Sequence, residues 1–212
     1  MPDLRFRVTG AKAVPHTASP LLAFELYVVD AEPVGAIHAV VLQCQIRIEP
    51  QRRRYDADEQ AKLKDLFGEP SRWGQTLRPM LWTHANVMVP AFTGNRKVDL
   101  PVPCSFDFNV AATKYFAALG DGEVPLKLLF SGTVFHATDD ESLQVAPIAW
   151  TSEVDYRLSV AVWREMMEHY YPNTAWLCLR RDVFDRLHQF KIDRGLPTWE
   201  QAIEKLLGER PA

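Results

Sequence analysis

The segment Leu42-Gln43-Cys44-Gln45-Ile46-Arg47-Ile48-Glu49 alternates strictly between apolar and polar side chains. Successive side chains of an extended chain point to opposite faces, so this segment makes a strand with one dry and one wet face. Its isoleucines favour the same state, and Pro50, which has no amide hydrogen to give to a ladder, ends it. A strand of this kind needs a second apolar layer against its dry face, which restricts the chain to a layered, sheet-containing fold.

The same period recurs earlier, where Leu4, Phe6 and Val8 alternate with Arg5 and Arg7, and Phe24, Leu26 and Val28 alternate with Glu25 and Tyr27. Further strands are predicted over 80–90, 96–108 and 125–136. Residues 143–150 and 153–158 read as one more hairpin, with Pro147 confining its first arm to a sheet edge. Asp56 with Glu59 forms a capping box for a short helix, and Gly68 stands at its C-terminal end. A loop is expected over 68–79 and an alanine-rich helix over 110–119, stopped by Gly120. Gly120-Asp121-Gly122 reads as a hairpin-type turn.

Beyond Arg157 the period becomes helical. Ser159 caps a helix carrying the stripe Trp163, Met166, Met167 and Tyr170, which ends before Pro172. A helix over 182–193 places Val183, Leu187 and Phe190 on one face. Thr198 with Gln201 caps a last one bearing Ile203, Leu206 and Leu207. The expected fold is therefore α+β: an antiparallel β-sandwich-like sheet arrangement with short inserted helices and about three C-terminal helices. Residues 1–158 form the β-rich part, and 159–212 form a helical segment packed on it as one globular unit.

At 212 residues the chain is long enough to bury a sizeable core. The formal charge of −3 comes with no basic surplus on any segment, which argues against nucleic acid, whose binding is dominated by phosphate neutralisation. No apolar run approaches the roughly 20 residues of a spanning helix, and the N-terminal residues lack the apolar core of a signal peptide. Cys44, Cys104 and Cys178 are odd in number and widely spaced, which suits a reducing cytoplasm better than a disulfide framework.

Chemistry is sparse. The six histidines (His16, His38, His84, His136, His169 and His188) stand singly, without the local pairs typical of metal sites, so no metal or cofactor is expected. Cys104 and Ser131 lack the strand–turn–helix setting of a nucleophile, and no phosphate-binding glycine pattern occurs, so no catalytic residue is assigned. Two groups remain as candidate binding residues. The run Arg52-Arg53-Arg54 is the densest basic cluster. Arg52 and Arg54, with Arg72 and Arg78 and with His84, could clamp an anion, although a solvated strand end balanced by Asp56, Asp58 and Glu59 is the commoner reading. Trp73 beside Arg72 is a pairing that interface hot spots use. Trp163, Met167, Tyr171 and Trp176 form an aromatic and methionine-rich stretch suited to a partner-binding patch, although such residues more often join helices to a sheet.

Four segments (46–53, 66–79, 98–104 and 125–135), together with Tyr171-Pro172-Asn173 and Leu196-Pro197-Thr198-Trp199, resemble a family of uncharacterised bacterial proteins often encoded near uptake nickel–iron hydrogenase genes. The resemblance spans nearly the whole chain and implies an accessory, assembly or scaffold role around that enzyme, with no catalytic residue. The paired cysteine motifs of nickel or iron–sulfur ligation are absent from the chain itself. The leading expectation is a non-enzymatic interaction protein with a protein partner, with self-association left open. A small-ligand binder or enzyme with an arginine-lined pocket is the alternative, and a structural subunit of a larger assembly is a third.

Overall fold

The alternating segment lies at the centre of the larger of two sheets. In the computed structural model, which describes residues 2–32, 35–106, 110–138, 142–175 and 177–208, strand β3 (Ile37–Ile48) buries Leu42, Cys44, Ile46 and Ile48 and turns Gln43 to solvent. It pairs antiparallel with β4 (Met80–Phe92) on one side and β6 (Glu123–Ala137) on the other. The smaller sheet consists of β1 (Leu4–Ala13), β2 (Leu21–Asp30) and β5 (Asn95–Pro103), antiparallel in that order. The dry faces of the two sheets contribute to one apolar core, where the rings of Phe6 and Phe130 stack with centroids 4.5 Å apart. Matching periods on both sheets thus produce the expected sandwich-like α+β fold.

The hairpin expected over 143–158 is instead an interrupted strand. The arms β7 (Leu143–Pro147) and β8 (Glu153–Ser159) do not pair with each other; both pair antiparallel with β6, along one edge. β6 is 15 residues long and has room for both in line. Between them the chain leaves the sheet in a turn tied to β6 at both ends: the Ile148 amide donates to Gly132 O (3.0 Å), and the Phe130 amide donates to Ser152 O (2.8 Å). Gly132 permits this, because its φ of +140° suits glycine and a Cβ there would lie 2.0 Å from Val41 O.

Helices close the end of the sandwich. α1 (Ala57–Phe67) starts as expected, with Asp56 accepting from the Glu59 amide, and ends at Gly68 with φ +75°. The expected loop that follows contains a 3₁₀ turn, Pro70–Arg72, and a short helix, α2 (Trp73–Thr76). Proline presets the first turn, and Trp73 anchors the second by burying its ring while its indole N–H donates to Gly68 O (2.9 Å). α3 (Ala111–Ala118) buries Tyr115 and Phe116, and α4 (Val160–Tyr170) buries Trp163, Met166 and Met167. A run of rings, Phe24–Trp82–Phe116–Trp163, carries contact from β2 through β4 and α3 to α4.

The Gly120-Asp121-Gly122 turn joins α3 to β6, so it is not a hairpin turn, and its shape is held by a buried ion pair. The guanidinium of Arg53 sits 2.5 Å from Glu59 Oε1, both side chains being over nine-tenths buried. The same guanidinium donates to Asp121 O and Glu123 O, each at 2.8 Å, and Glu59 Oε1 accepts from the Gly120 amide (2.9 Å). Arg164 of α4 adds donations to Leu119 O and Gly120 O. One ion pair therefore fastens α1 to the chain that enters β6.

The chain divides into two compact units, residues 1–176 and 177–212, so that α4 belongs with the sheets. The second unit holds α5 (Arg181–Asp193) and α6 (Trp199–Gly208), with Thr198 Oγ1 accepting from the Gln201 amide at the start of α6. Among the described residues no helix is long and apolar enough to cross a membrane.

Glu59→Ala is expected to lower stability by about 3–5 kcal/mol in urea unfolding, because it strands a buried guanidinium, whereas the double change R53M/E59L should recover much of that loss. Gly132→Ala should cost about 2–4 kcal/mol through backbone strain and overlap with β3, read as a lowered Tm.

Candidate functional site

The arginines singled out in the sequence stand on different elements. Arg52 ends a 3₁₀ turn and pairs with Asp155 of β8 at 2.9 Å, where the hydrogen bond and charge of Asp155 raise its pKa and Arg52 in turn lowers that of the carboxyl. Lys127 lies on the other side of Asp155 (3.8 Å) and pairs with Glu153 at 2.8 Å, so the end of the outer face near Arg52 is already neutralised. Arg54, Arg72 and Arg78 are exposed at the start of α1, in the second 3₁₀ turn and before β4. None of the four lines any of five cavities formed by the described residues.

His84 has different neighbours from those expected. It lies on the outer face of β4, opposite Gln45 of β3, in a depression of about 440 Å³ that also includes Gln43, Asn86 and Ser131. Amides and a hydroxyl surround it in place of guanidinium groups.

The described aromatic and methionine candidates are buried or half-buried. Trp73 packs edge-on against Tyr55 and Phe67 at centroid distances of 5.2 and 6.0 Å. Trp163 stacks on Phe116 at 5.1 Å, Met167 is buried, and the half-buried Tyr171 stacks on Phe106 at 4.7 Å. Trp176 lies outside the described residues. These side chains fix α2 and α4 to the core, which is why a tryptophan and methionine stripe at helical spacing points inward.

Apolar side chains are instead exposed where β7 meets the turn that follows it. Trp150 is 92% exposed, and Leu143 and Val145 of β7 are 60% exposed each. β7 is an edge strand, and no other described strand pairs with its outer side. Trp150 stands in a turn closed by the Ser152 amide donating to Ala149 O (3.0 Å), beside an opening of about 480 Å³ lined by Pro2, Leu4, Val134 and Pro147 among others. The position of Pro147 marked the sheet edge in the sequence, but the display of Trp150 arises from the interrupted strand, which no local pattern signals.

Both core cysteines are held as neutral thiols. Burial pushes the thiols of Cys44 and Cys104 up to about 12, and the Cys104 thiol donates to Val102 O at 3.4 Å. Among the described residues no three metal-ligating side chains converge. At mildly alkaline pH a thiol reagent is expected to label Cys178, which is exposed, rapidly in the folded protein, and to reach Cys44 and Cys104 only after denaturation. Rapid labelling of all three in native buffer contradicts this burial.

Comparison with known proteins adds little beyond membership. No curated protein matches the chain significantly. Among solved structures, the Bordetella pertussis protein described as ApaA is similar at 13% identity over 74% of this chain and 93% of its own, with a TM-score of 0.24. The family model for a family of unknown function, DUF6084, matches residues 1–212, and the chain belongs to that family.

Proposed function

We propose that this chain is a non-enzymatic accessory protein that docks a protein partner on the β7 edge. The observation that carries this reading is Trp150, 92% exposed on a turn whose two ends are hydrogen-bonded to β6. A large apolar ring exposed to water is costly, and holding its backbone in place removes part of the ordering cost of binding. Tryptophan is also among the residues that most often dominate binding energy at protein interfaces. Leu143 and Val145 extend the apolar surface along an edge whose backbone groups can receive an extended segment of a partner. The resemblance of the sequence segments described above supports placing that partner in an uptake nickel–iron hydrogenase system, with this chain in an assembly or scaffold role.

That none of Arg52, Arg54, Arg72 and Arg78 lines any of the five cavities described, and that Arg52 is already paired with Asp155, counts against the alternative of an arginine-lined ligand pocket, since a bound anion needs converging donors.

Affinity purification of the tagged full chain from its native host, beside Trp150→Ala and Val145→Asp variants, tests the reading. The expected result is a defined partner lost from both variants while their Tm stays within a few degrees of the parent. With the purified partner, Trp150→Ala should cost roughly 2 kcal/mol or more, about thirtyfold in Kd. An identical set of captured proteins for all three forms would falsify the assignment of this edge.

A further inference from the structure

The second unit has its own unsatisfied surface. The faces expected from the sequence are present: Val183, Leu187 and Phe190 of α5 and Ile203, Leu206 and Leu207 of α6 line a groove of about 540 Å³. They bury little, because α5 has no buried residue and α6 buries Ala202 alone. Leu207 is 77% exposed and Leu206 43%. Contact between the helices at one end is made by Trp199, whose ring packs on Phe184 (5.3 Å) and His188 (5.7 Å) and lies under the ammonium of Lys191. Helices of 13 and 10 residues are too short to be stable without a packed apolar face, and a hairpin of this size cannot build a core alone.

Charge indicates what covers the groove. Arg186 lines its α5 wall and has no ion-pair partner within 4 Å among the described residues. On α6, Glu200 and Glu204 follow Ile203 and Leu207 around the helix on the side away from the buried Ala202, and they too are unpaired among the described residues. The α5 side of the groove therefore offers an unpaired guanidinium, beside Asp182 already paired with Arg180 and Asp193 bonded to Gln189, and the α6 side offers two unpaired carboxylates. When two such grooves face each other about a two-fold axis running along the helices, α5 of each copy lies over α6 of the other, and each Arg186 meets the glutamates of its mate. The other two-fold arrangement, with α5 over α5, would bring Arg186 against Arg186.

We propose that the groove is filled by the same hairpin of a second copy, forming an antiparallel four-helix bundle with Arg186 paired across the interface to Glu200 and Glu204. Such an interface is isologous and closes at two copies, and its apolar centre supplies the layer that each hairpin lacks. It uses a surface distinct from the β7 edge, and neither reading depends on the other.

Sedimentation equilibrium of the full chain is the test. The native sequence is expected to be a dimer, and Leu206→Asp a monomer. Arg186→Glu and the pair E200R/E204R, which alter exposed positions, should each raise the dimer dissociation constant by about tenfold or more, because two attractive rim contacts become repulsive. An equimolar mixture of those two variants should form a heterodimer as tight as the native dimer, since both contacts are then attractive, one as in the native chain and one with its sign reversed. A native chain that stays monomeric at all concentrations overturns the proposal, as does a dimer unaffected by the charge variants.

Discussion

Between the two sheets lies the apolar layer on which the other elements depend. β3 pairs on both sides, so its backbone groups are satisfied within the sheet, and its dry side chains can be covered only by the apolar faces of β1, β2 and β5. Burial of side chains such as Leu42, Ile46 and Ile48 against Phe24 and Leu26 each contributes on the order of 1.5–3 kcal/mol. The polar faces must then point outward, which is why Gln43, His84 and Asn86 line a wet depression and Glu25, Lys12, Lys97 and Asp99 form a surface charge network. The helices are secondary to this arrangement; they close its end through rings such as Phe116 and Trp163.

The Arg53–Glu59 pair shows how one interaction can serve several elements. Glu59 completes only half of its capping box: its amide binds Asp56, while its carboxylate turns to Arg53 and the Gly120 amide. An ion pair so deeply buried adds little net stability compared with apolar groups of similar size. Its effect here is positional, because the guanidinium also binds two carbonyls of the chain entering β6. The most consequential of three consecutive arginines is thus the middle one, which no local pattern distinguishes from its neighbours.

Among the described residues, and apart from Val41, Leu81 and Met88 on the larger sheet, exposed apolar surface gathers at Trp150 with the β7 edge and at the groove of the α5–α6 hairpin. The apolar faces of the second were legible, since Val183, Leu187 and Phe190 recur at helical spacing, but their exposure was not, because the same pattern fits helices packed on a sheet. The first was not, because an exposed tryptophan and a buried one look alike in a sequence. Trp73 and Trp163 were read as possible contact residues for the same reason, and both are interior.

Element type, most element boundaries and the sandwich-like class followed from periodicity and capping residues alone, because those signals act within a few residues of each other. Asp56, Gly68, Ser159 and Thr198 mark helix ends by bonds or backbone angles internal to the turn they occupy. What only the tertiary structure decided was pairing and exposure: that β7 and β8 share one edge of β6, that Arg53 rather than Arg52 or Arg54 is buried, and that Trp150 faces solvent. Each depends on contacts between residues distant in the chain, where many pairings satisfy the same local pattern and only packing distinguishes them.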